Sequence, residues 1–287
     1  NFYTVTTVEF KEELKKDIFL FNHAPASVRE QIKVSSFLDI IRKQAGVRLY
    51  ANITTKNYVP TGAGFASSAS GYAALAAAAT KAIGLCCSDA ELSRIARQGS
   101  GSACRSIFGG FVEWEKGCLF DGSDSFARQI MDEKAWTLSV LSVVITSCKK
   151  KISSREGMKR TVETSPFYKD WLDTVEYDVK TAKQAIINRD FITLGEVMEE
   201  NALKMHATMF GAKPPIIYWE CGTLDVIHLV WELRKDGIPA YFTIDAGPNV
   251  KVLCLPKDEE KVKTSLLKLR SVQTVITCYP GEGVKYI

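Results

Sequence analysis

The alternation of apolar and polar positions divides the first part of the chain into strands and helices. Residues 2–10 alternate and are rich in β-branched and aromatic side chains, which predicts a strand. Apolar residues at helical spacing predict an amphipathic helix over residues 27–45. Residues 47–54 alternate again, and this strand leads into a glycine-containing loop and an alanine-rich helix that stops before Gly84. Strand, loop and helix therefore follow one another in this order.

The rest of the chain carries helical patterns and then a mixture of strands and helices. Ser88 and Glu91 form a capping box that opens a helix reaching residue 98. After it, the pattern predicts a hairpin over residues 111–119 that turns at Lys116–Gly117 and a strand over residues 136–146. Two long helices are predicted next, over residues 166–188 and 191–210. The last part of the chain begins with a helix over residues 224–235 and two strands over residues 240–244 and 250–255. A helix over residues 258–269 and a strand over residues 272–279 complete it.

Length, charge and cysteine usage limit the class of protein. At 287 residues the chain can form two medium domains, which we predict. A net charge of +4 is too small for a general nucleic-acid footprint, although it suits a polyanionic small substrate. The eight cysteines contain no Cys-x-x-Cys pair, which predicts reduced, buried thiols in a cytoplasmic protein. There is no basic leader before an apolar segment and no apolar run of about 18 residues, so we expect neither secretion nor a membrane span.

The loop after the second strand has the composition of an anion cradle. Gly62 and Gly64 permit φ > 0 and leave no side chain to block an anion, while Ser67, Ser68 and Ser70 supply hydroxyls where the helix begins. The first N–H groups of the helix then point toward the loop, and the helix dipole favours negative charge there. The loop is neither a Walker A sequence nor a complete dinucleotide fingerprint, and a close-packed turn would also explain its glycines.

A second stretch rich in glycine and serine, residues 99–111, surrounds an arginine. Ser100 and Ser102 offer hydroxyls, and Arg105 presents a planar fork of donors that suits a carboxylate or a phosphate. An arginine paired with a nearby acid on a structural turn is the alternative interpretation.

Two later stretches combine charge with turn chemistry. Residues 148–158 concentrate cations and serines, and a solvated face is the alternative interpretation of Lys149–Lys151. Asp245 ends a predicted strand just before Ala-Gly-Pro-Asn, where an aspartate is also ordinary turn chemistry. His206 has no second histidine or acid at metal spacing, which favours a packed or capping histidine, and no residue is assigned as a metal ligand.

Taken together, these stretches resemble the GHMP kinase superfamily and, within it, the mevalonate diphosphate decarboxylases. The string Pro-Thr-Gly-Ala-Gly-Phe-Ala-Ser-Ser-Ala-Ser resembles the phosphate loop of that superfamily, and its Ala-Ser-Ser-Ala-Ser part is similar to the decarboxylase form. Gly-Ser-Gly-Ser-Ala-Cys-Arg-Ser-Ile-Phe-Gly-Gly-Phe resembles the second family signature, and Thr-Ile-Asp-Ala-Gly-Pro-Asn-Val-Lys the third. Ser-Ser-Arg-Glu-Gly-Met and other intervening segments are also similar, so the resemblance covers essentially the whole chain.

The resemblance implies an α+β protein with the two-domain GHMP-kinase-like fold. Residues 1–147 would form an N-terminal α/β domain of the ribosomal-protein-S5-like type, and residues 148–287 a ferredoxin-like domain. Family members usually begin with a segment of the type Asn-Ile-Ala-x-x-Lys-Tyr-Trp-Gly-Lys, whose Tyr and Lys help to hold the substrate. Nothing here matches that segment and the chain opens in mid-strand, so we expect that a preceding piece is missing and assign no residue to its role.

The resemblance also implies an activity, ATP-dependent decarboxylation of mevalonate 5-diphosphate to isopentenyl diphosphate, with ATP and Mg²⁺. It implies that Asp245 is the catalytic carboxylate and that Arg105 binds the substrate carboxylate. The implied substrate-binding residues are Ser100, Ser102, Arg105, Ser154, Arg155, Met158, Asp245 and Ala246. The implied ATP-binding residues are Asn57, Gly62, Gly64, Ser67, Ser68 and Ser70.

The residues leave other functions open. A related enzyme acting on mevalonate or its 5-phosphate, as a kinase or a decarboxylase, could use the same loop and aspartate. A binding module that kept the fold, or an RNA binder using Lys149–Lys151, is a different class, and the presence of both Arg105 and Asp245 argues against it. We expect small-molecule partners rather than nucleic acid or membrane and, by family resemblance alone, a homodimer.

Overall fold

The computed structural model describes residues 2–58, 67–148 and 151–287, which form two compact units. The first unit contains the described residues up to 133 and the tail 281–287, and the second contains the described residues of 134–280. This division differs from the predicted domain boundary after residue 147. The difference arises because the strand at residues 139–144 pairs with strands of the second unit.

The described strands of the first unit's main sheet are β1 at Thr4–Lys11, β2 at Ile18–Phe21, β3 at Ala24–Pro25 and β4 at Tyr50–Asn57. Their order is β1, β4, β2, β3, with β1 antiparallel and β2 parallel to β4. The two predicted strands, now β1 and β4, are confirmed. The hairpin of β2 and β3 was not predicted, because Asn22 and His23 in its turn both adopt positive φ and a histidine seldom signals such a turn.

The helices of the first unit begin and end close to their predicted limits. Both α1 and α3 open with complete capping boxes, formed by Ser27 with Glu30 and by Ser88 with Glu91. Their apolar faces and the strands meet in one cluster in which Leu38 is fully buried. The described helices are α1 at Val28–Ala45, α2 at Ser67–Ala82 and α3 at Asp89–Gly99.

A separate hairpin follows α3 in the first unit. β5 at Phe111–Trp114 pairs with β6 at Ala127–Met131, so the predicted turn at Lys116–Gly117 is wrong. The connection is longer because the Asp124 carboxylate accepts a hydrogen bond of 2.6 Å from the backbone N–H of Cys118. This bond folds residues 115–126 into a loop of their own.

The described strands of the second unit are β7 at Ser139–Val144, β8 at Ala240–Ile244, β9 at Val250–Cys254 and β10 at Thr274–Cys278. They form an antiparallel sheet in the order β10, β7, β9, β8. The predicted pairing of β8 with β9 across the Gly247–Pro248 turn is confirmed. The turn places Asp245 directly after the last residue of β8.

The described helices of the second unit are α4 at Ser154–Thr164, α5 at Tyr168–Asn188, α6 at Phe191–Phe210, α7 at Cys221–Lys235 and α8 at Glu259–Leu267. α7 and α8 cover one face of the sheet, where Val226, Leu266 and Phe242 are buried together. α6 covers β8 from the other face, and a Cβ on Gly195 would lie 2.1 Å from the Tyr241 ring. The strand order and these helices form the expected ferredoxin-like layer. The α+β class is thus confirmed, while α4 was not predicted.

Candidate active site

The first turn of α2 is tied to the ends of β1 and β4. The Thr4 hydroxyl donates to Asn57 Oδ1 over 2.9 Å and lies 2.8 Å from Ser70 Oγ. Because a hydroxyl has one proton, Ser70 must donate to Thr4. α2 begins at Ser67 as predicted. Gly62 and Gly64 lie outside the described residues.

The same end of α2 approaches the second glycine- and serine-rich stretch. The exposed Ser68 has its Oγ 3.4 Å from Ser100 Oγ. Ser100 precedes a 3₁₀ helix at Gly101–Ile107 that contains Ser102. Two of the predicted stretches therefore meet at the N-terminus of α2, where the helix dipole favours an anion.

The glycines of the second stretch permit close packing. A Cβ on Gly99 would lie 2.1 Å from the Tyr72 ring, and one on Gly101 would lie 2.9 Å from Trp114. Both glycines are therefore required for the 3₁₀ helix to lie against its neighbours. The buried Ser93 fixes the same helix, since its hydroxyl donates to the Cys104 carbonyl over 3.1 Å.

Arg105 lies on the exposed side of this 3₁₀ helix. Among the described residues of the first unit, no acidic side chain forms an ion pair with it. The alternative of a structural ion pair on a turn therefore has no support within this unit. Arg105 and Ser70 both line a cavity of about 1050 Å³, together with β1 and the tail 281–287.

Asp245 lies in the second unit at the start of the β8–β9 turn. Its side chain is 72% exposed, and Lys251 Nζ lies 2.6 Å from Oδ2. Its own carbonyl accepts the N–H of Gly247 over 2.7 Å, which closes the turn. The carboxylate is thus presented to solvent from a tight turn.

Three buried polar side chains anchor that turn. His206 Nε2 lies 3.2 Å from the Ile244 carbonyl, and the Thr223 hydroxyl donates to the Pro248 carbonyl over 2.8 Å. Asn249 accepts the N–H of Ile145 over 2.7 Å through its Oδ1.

Burial lowers the pKa of His206, and bonds to backbone carbonyls and the charge of Asp245 only partly offset this effect. The expectation that His206 is a packed histidine is confirmed.

α4 carries the Ser-Ser-Arg-Glu-Gly-Met segment and opens with a side-chain cap. Ser153 Oγ accepts the N–H of Glu156 over 3.2 Å. Ser154 is half-buried, whereas Arg155 and Met158 are exposed. Gly157 faces Tyr218, whose hydroxyl would lie 2.6 Å from a Cβ at this position. The glycine of the segment is therefore needed for packing.

A small apolar cluster brings α4 and the Asp245 turn together. Ile152, just before α4, and Ala246, just after Asp245, both pack against the cluster that contains Ile216 and Tyr218. The Tyr218 hydroxyl also donates to the Ile152 carbonyl over 3.3 Å. The predicted substrate-binding residues of the second unit thus lie around one cluster. Lys149 and Lys150 lie outside the described residues.

Several side chains that support these residues were missed from the sequence, because each acts through a contact with a distant part of the chain. No spacing rule marks them. Once the fold is known, burial as polar residues identifies Ser93, Thr223 and Asn249, and their side-chain contacts identify Thr4 and Lys251. They are Thr4, Ser93, Thr223, Asn249 and Lys251.

Metal-ligating and thiol groups add little to the site. Within residues 2–58, 67–148 and 151–287, no group of three or more His, Cys, Asp and Glu side chains could hold a metal ion. All eight cysteines are free thiols. The expectation of buried thiols is wrong for those that lie at exposed positions, namely Cys86, Cys118, Cys148 and Cys221. In the described part of the chain, no helix combines the length and the apolar character needed to span a membrane.

Two sequence models of protein domains match the chain. Residues 1–127 match the diphosphomevalonate decarboxylase-like N-terminal domain. Residues 140–284 match the mevalonate 5-diphosphate decarboxylase C-terminal domain. The matched ranges contain every residue that the sequence assigned to the site.

Similar proteins and structures cover nearly all of the chain. The diphosphomevalonate decarboxylase of Saccharomyces cerevisiae is 35% identical over 282 residues, which cover 93% of this chain and 71% of that protein. The mevalonate diphosphate decarboxylase of Enterococcus faecalis, studied for mevalonate diphosphate mediated ATP binding, superposes with a TM-score of 0.90 at 47% identity, covering 98% of this chain and 86% of that one. A structure of MDDEF in complex with MVAPP, AMPPCP and magnesium has a TM-score of 0.91 at 47% identity, with the same coverage.

Proposed function

Since this chain belongs to the diphosphomevalonate decarboxylase family, we propose that it converts mevalonate 5-diphosphate to isopentenyl diphosphate in the mevalonate route to isoprenoids. The reaction consumes ATP and releases ADP, phosphate and carbon dioxide. The observation that supports this most directly is the third signature: Asp245 is exposed, yet its turn is anchored by buried side chains. A carboxylate presented in this way is suited to act on a substrate hydroxyl.

The chemistry explains why ATP is consumed. The tertiary 3-hydroxyl of the substrate is a poor leaving group, so its oxygen must first take the terminal phosphoryl group of ATP, with ADP as the leaving group. Asp245 would orient that hydroxyl and accept its proton. The bond between the carboxylate carbon and the neighbouring methylene carbon then breaks, and its electrons form the new double bond to the carbon that carried the 3-hydroxyl. The bond from that carbon to its oxygen also breaks, and the oxygen leaves as part of the phosphate. Carbon dioxide is released in the same overall elimination.

The remaining predicted residues would bind the substrate. Arg105 would hold the substrate carboxylate with two parallel hydrogen bonds, and its exposed position without an acidic partner in its own unit is consistent with this role. Ser100 and Ser102 would contact the diphosphate. The other residues proposed to bind substrate lie on α4 or in the Asp245 turn, around the apolar cluster that contains Ile216 and Tyr218. They are Ser154, Arg155, Met158 and Ala246.

The first turn of α2 would bind the phosphates of ATP. The exposed Ser68 and the helix dipole fit an anion, and Thr4 holds Asn57 and Ser70 in place beside it. Gly62, Gly64 and Ser67 are proposed for the same role from the sequence. Mg²⁺, when bound, would neutralise phosphate charge. Among the described residues there is no group of three or more His, Cys, Asp and Glu side chains for a metal, and we assign no side chain as a ligand.

We also propose a cytoplasmic location and a homodimer. The location is supported by the eight free thiols, several of them exposed, which are typical of a reducing compartment. The homodimer follows from family resemblance alone. Size-exclusion chromatography with light scattering tests it, and a single monomeric mass at micromolar concentration would exclude it.

Asp245→Ala tests the function. The purified protein is incubated with ATP and mevalonate, mevalonate 5-phosphate or mevalonate 5-diphosphate, and both ADP and carbon dioxide are measured. We expect carbon dioxide from the diphosphate only, and a loss of turnover of at least about 100-fold in the variant, with nucleotide affinity retained. Asp236→Ala is the matched control. Asp236 is also an exposed aspartate of the second unit, directly after α7, and its variant should behave as wild type. ADP formed without carbon dioxide would indicate a kinase and contradict the proposal.

Arg105→Ala tests the proposed substrate contact. Loss of a bidentate partner for a bound carboxylate should lower kcat/KM by an amount equivalent to several kcal/mol, on the order of 2–5. Arg105→Lys keeps the charge but not the fork and should recover only part of the loss. Arg128→Ala, which removes an exposed surface ion pair with Glu115, is the control. Near-normal kinetics for Arg105→Ala would assign Arg105 a structural role.

A further inference from the structure

Within the described part of the chain, the cation that contacts the carboxylate of Asp245 directly is Lys251 on β9. The distance from Lys251 Nζ to Asp245 Oδ2 is 2.6 Å. Lys251 lies opposite Thr243 on β8 and opposite Ser142 on β7, and neither of these neighbours carries a charge. Neither sheet neighbour can form an ion pair with the ammonium. Asp245, which lies two residues beyond Thr243, carries the opposite charge and forms that pair.

Exposure distinguishes this pair from an ordinary surface ion pair. The Lys251 side chain is only 17% exposed, whereas that of Asp245 is 72% exposed. In a surface pair both side chains are mobile in water, and such pairs contribute little. Here the lysine is largely covered and has few alternative positions, so it fixes one carboxylate oxygen while most of the aspartate remains open to solvent. The geometry thus orients Asp245 outward.

The backbone on both sides of the pair is already fixed. His206 lies against the Ile244 carbonyl and Thr223 against the Pro248 carbonyl, and β9 pairs with strands on both of its sides. Among these contacts only that of Lys251 reaches the carboxylate itself. The direction of the Asp245 side chain within an otherwise rigid turn is therefore controlled by Lys251.

We propose that Lys251 is a positioning residue that holds Asp245 Oδ2, so that the carboxylate is directed at the substrate hydroxyl. This rests on the proposed function and adds a residue to it. In the reaction, the proton of the 3-hydroxyl passes to the Asp245 carboxylate, while Lys251 stays protonated and forms no covalent bond. Among the described residues, the charge of Asp245 also acts on His206, whose ring is fully buried behind the Ile244 carbonyl.

The test compares Lys251→Met, which keeps much of the stem without the charge, with Lys251→Arg, which keeps a cation. We expect Lys251→Met to lower kcat by about 10-fold to 100-fold, less than the loss of a general base itself, with the KM values for both substrates changed by less than about 3-fold. Lys251→Arg should recover most of the lost kcat. Lys204→Met is the matched control, because Lys204 pairs with the buried Asp178 at 3.0 Å elsewhere in the unit, and it should leave kcat unchanged.

A second measurement does not depend on activity. Three-bond NMR couplings of Asp245 report whether its side chain occupies one rotamer. We expect one rotamer in the wild type and Lys251→Arg and averaging in Lys251→Met. Equal averaging in all three proteins, or a Lys251→Met kcat within about 2-fold of wild type in an active enzyme, would overturn the inference. A wild type that releases no carbon dioxide but shows the expected couplings would reject the proposed function while supporting the positioning by Lys251.

Discussion

At the scale of single residues, buried polar side chains hold the backbone beside both predicted catalytic residues. The Ser93 hydroxyl accepts the N–H of Ala127 and donates to the carbonyl of Cys104, the residue before Arg105. Asn249 makes a similar connection, since its side chain bonds the backbone of Thr146 as donor and acceptor. Removing such a group leaves its buried partners unsatisfied, which costs about 1–3 kcal/mol per group. These residues matter through the geometry they impose.

The buried His206 should make stability depend on pH. Burial lowers its pKa in the folded protein, whereas the unfolded chain keeps the ordinary value near 6.5. As pH falls below about 6.5, the unfolded state takes up a proton that the folded state does not, so the free energy of unfolding decreases by at most about 1.4 kcal/mol per pH unit. Above that pH the stability from this group is fully present.

Urea unfolding at pH 7.5, 6.5 and 5.5 measures this effect. His206→Gln should be less stable at pH 7.5 but should lose less stability between pH 7.5 and 5.5 than the wild type. His228→Gln is the control, because His228 is exposed on α7, and it should keep the wild-type slope. Identical slopes for His206→Gln and wild type would show that His206 is not the group responsible.

Cysteine reactivity should follow burial. Cys254 is fully buried on β9, and burial, followed by the charges of Glu259 and Asp258, raises its pKa to about 12. At pH 8 it should therefore resist iodoacetamide, whereas the exposed Cys86 and Cys221 are alkylated. Mass spectrometry of peptides after a timed reaction measures this, with urea-unfolded protein as the control in which every thiol reacts. Labelling of Cys254 at the rate of Cys221 in the folded protein would contradict the structure.

At the scale of elements, caps and turns explain which helices and strands the sequence predicts correctly. α3 was predicted from Ser88 and Glu91, and the structure shows both bonds of that box. α4 has a cap too, at Ser153, but the cations before it resembled a solvated loop. Local signals were thus present at both helices and were correctly interpreted at only one.

Ser88→Ala should lower the free energy of unfolding by about 1 kcal/mol, because the N–H of Glu91 loses its acceptor at the helix start. Ser265→Ala is the matched control. Ser265 lies within α8 and donates only to the carbonyl of Lys261, so its replacement by a better helix former should be neutral or slightly stabilising. Denaturant unfolding of both variants checks this. An equal loss in the two would show that the cap contributes nothing specific.

At the scale of the whole molecule, the chain returns to the first unit after β10. The Gly281 carbonyl accepts the N–H of Gly110 over 2.8 Å, and Val284 donates to the Ile107 carbonyl over 3.1 Å. The first unit is therefore completed by residues from the far end of the sequence. A boundary drawn once along the chain cannot represent this arrangement.

Gly283→Ala should destabilise the first unit. A Cβ at this position would lie 2.4 Å from the Ile107 carbonyl oxygen, and relieving such a contact costs about 1–3 kcal/mol. Gly281→Ala is the control, because a Cβ there meets nothing within 4 Å. Hydrogen exchange of peptides covering residues 105–112 should be faster in Gly283→Ala only, with peptides of β8 and β9 unchanged. Wild-type exchange in Gly283→Ala would contradict the close approach.

The sequence by itself determined most helices and strands and the glycine- and serine-rich stretches, because these depend on neighbouring residues and on local spacing. The fold class followed from the resemblance of those stretches to a known family. The tertiary structure alone decided that Ser68 meets Ser100, that Ile152 and Ala246 share a cluster, and that Lys251 contacts Asp245. The contact of the tail 281–287 with Ile107 was likewise decided by the tertiary structure. These contacts join residues separated along the chain, and their energies depend on burial and packing that no local pattern records.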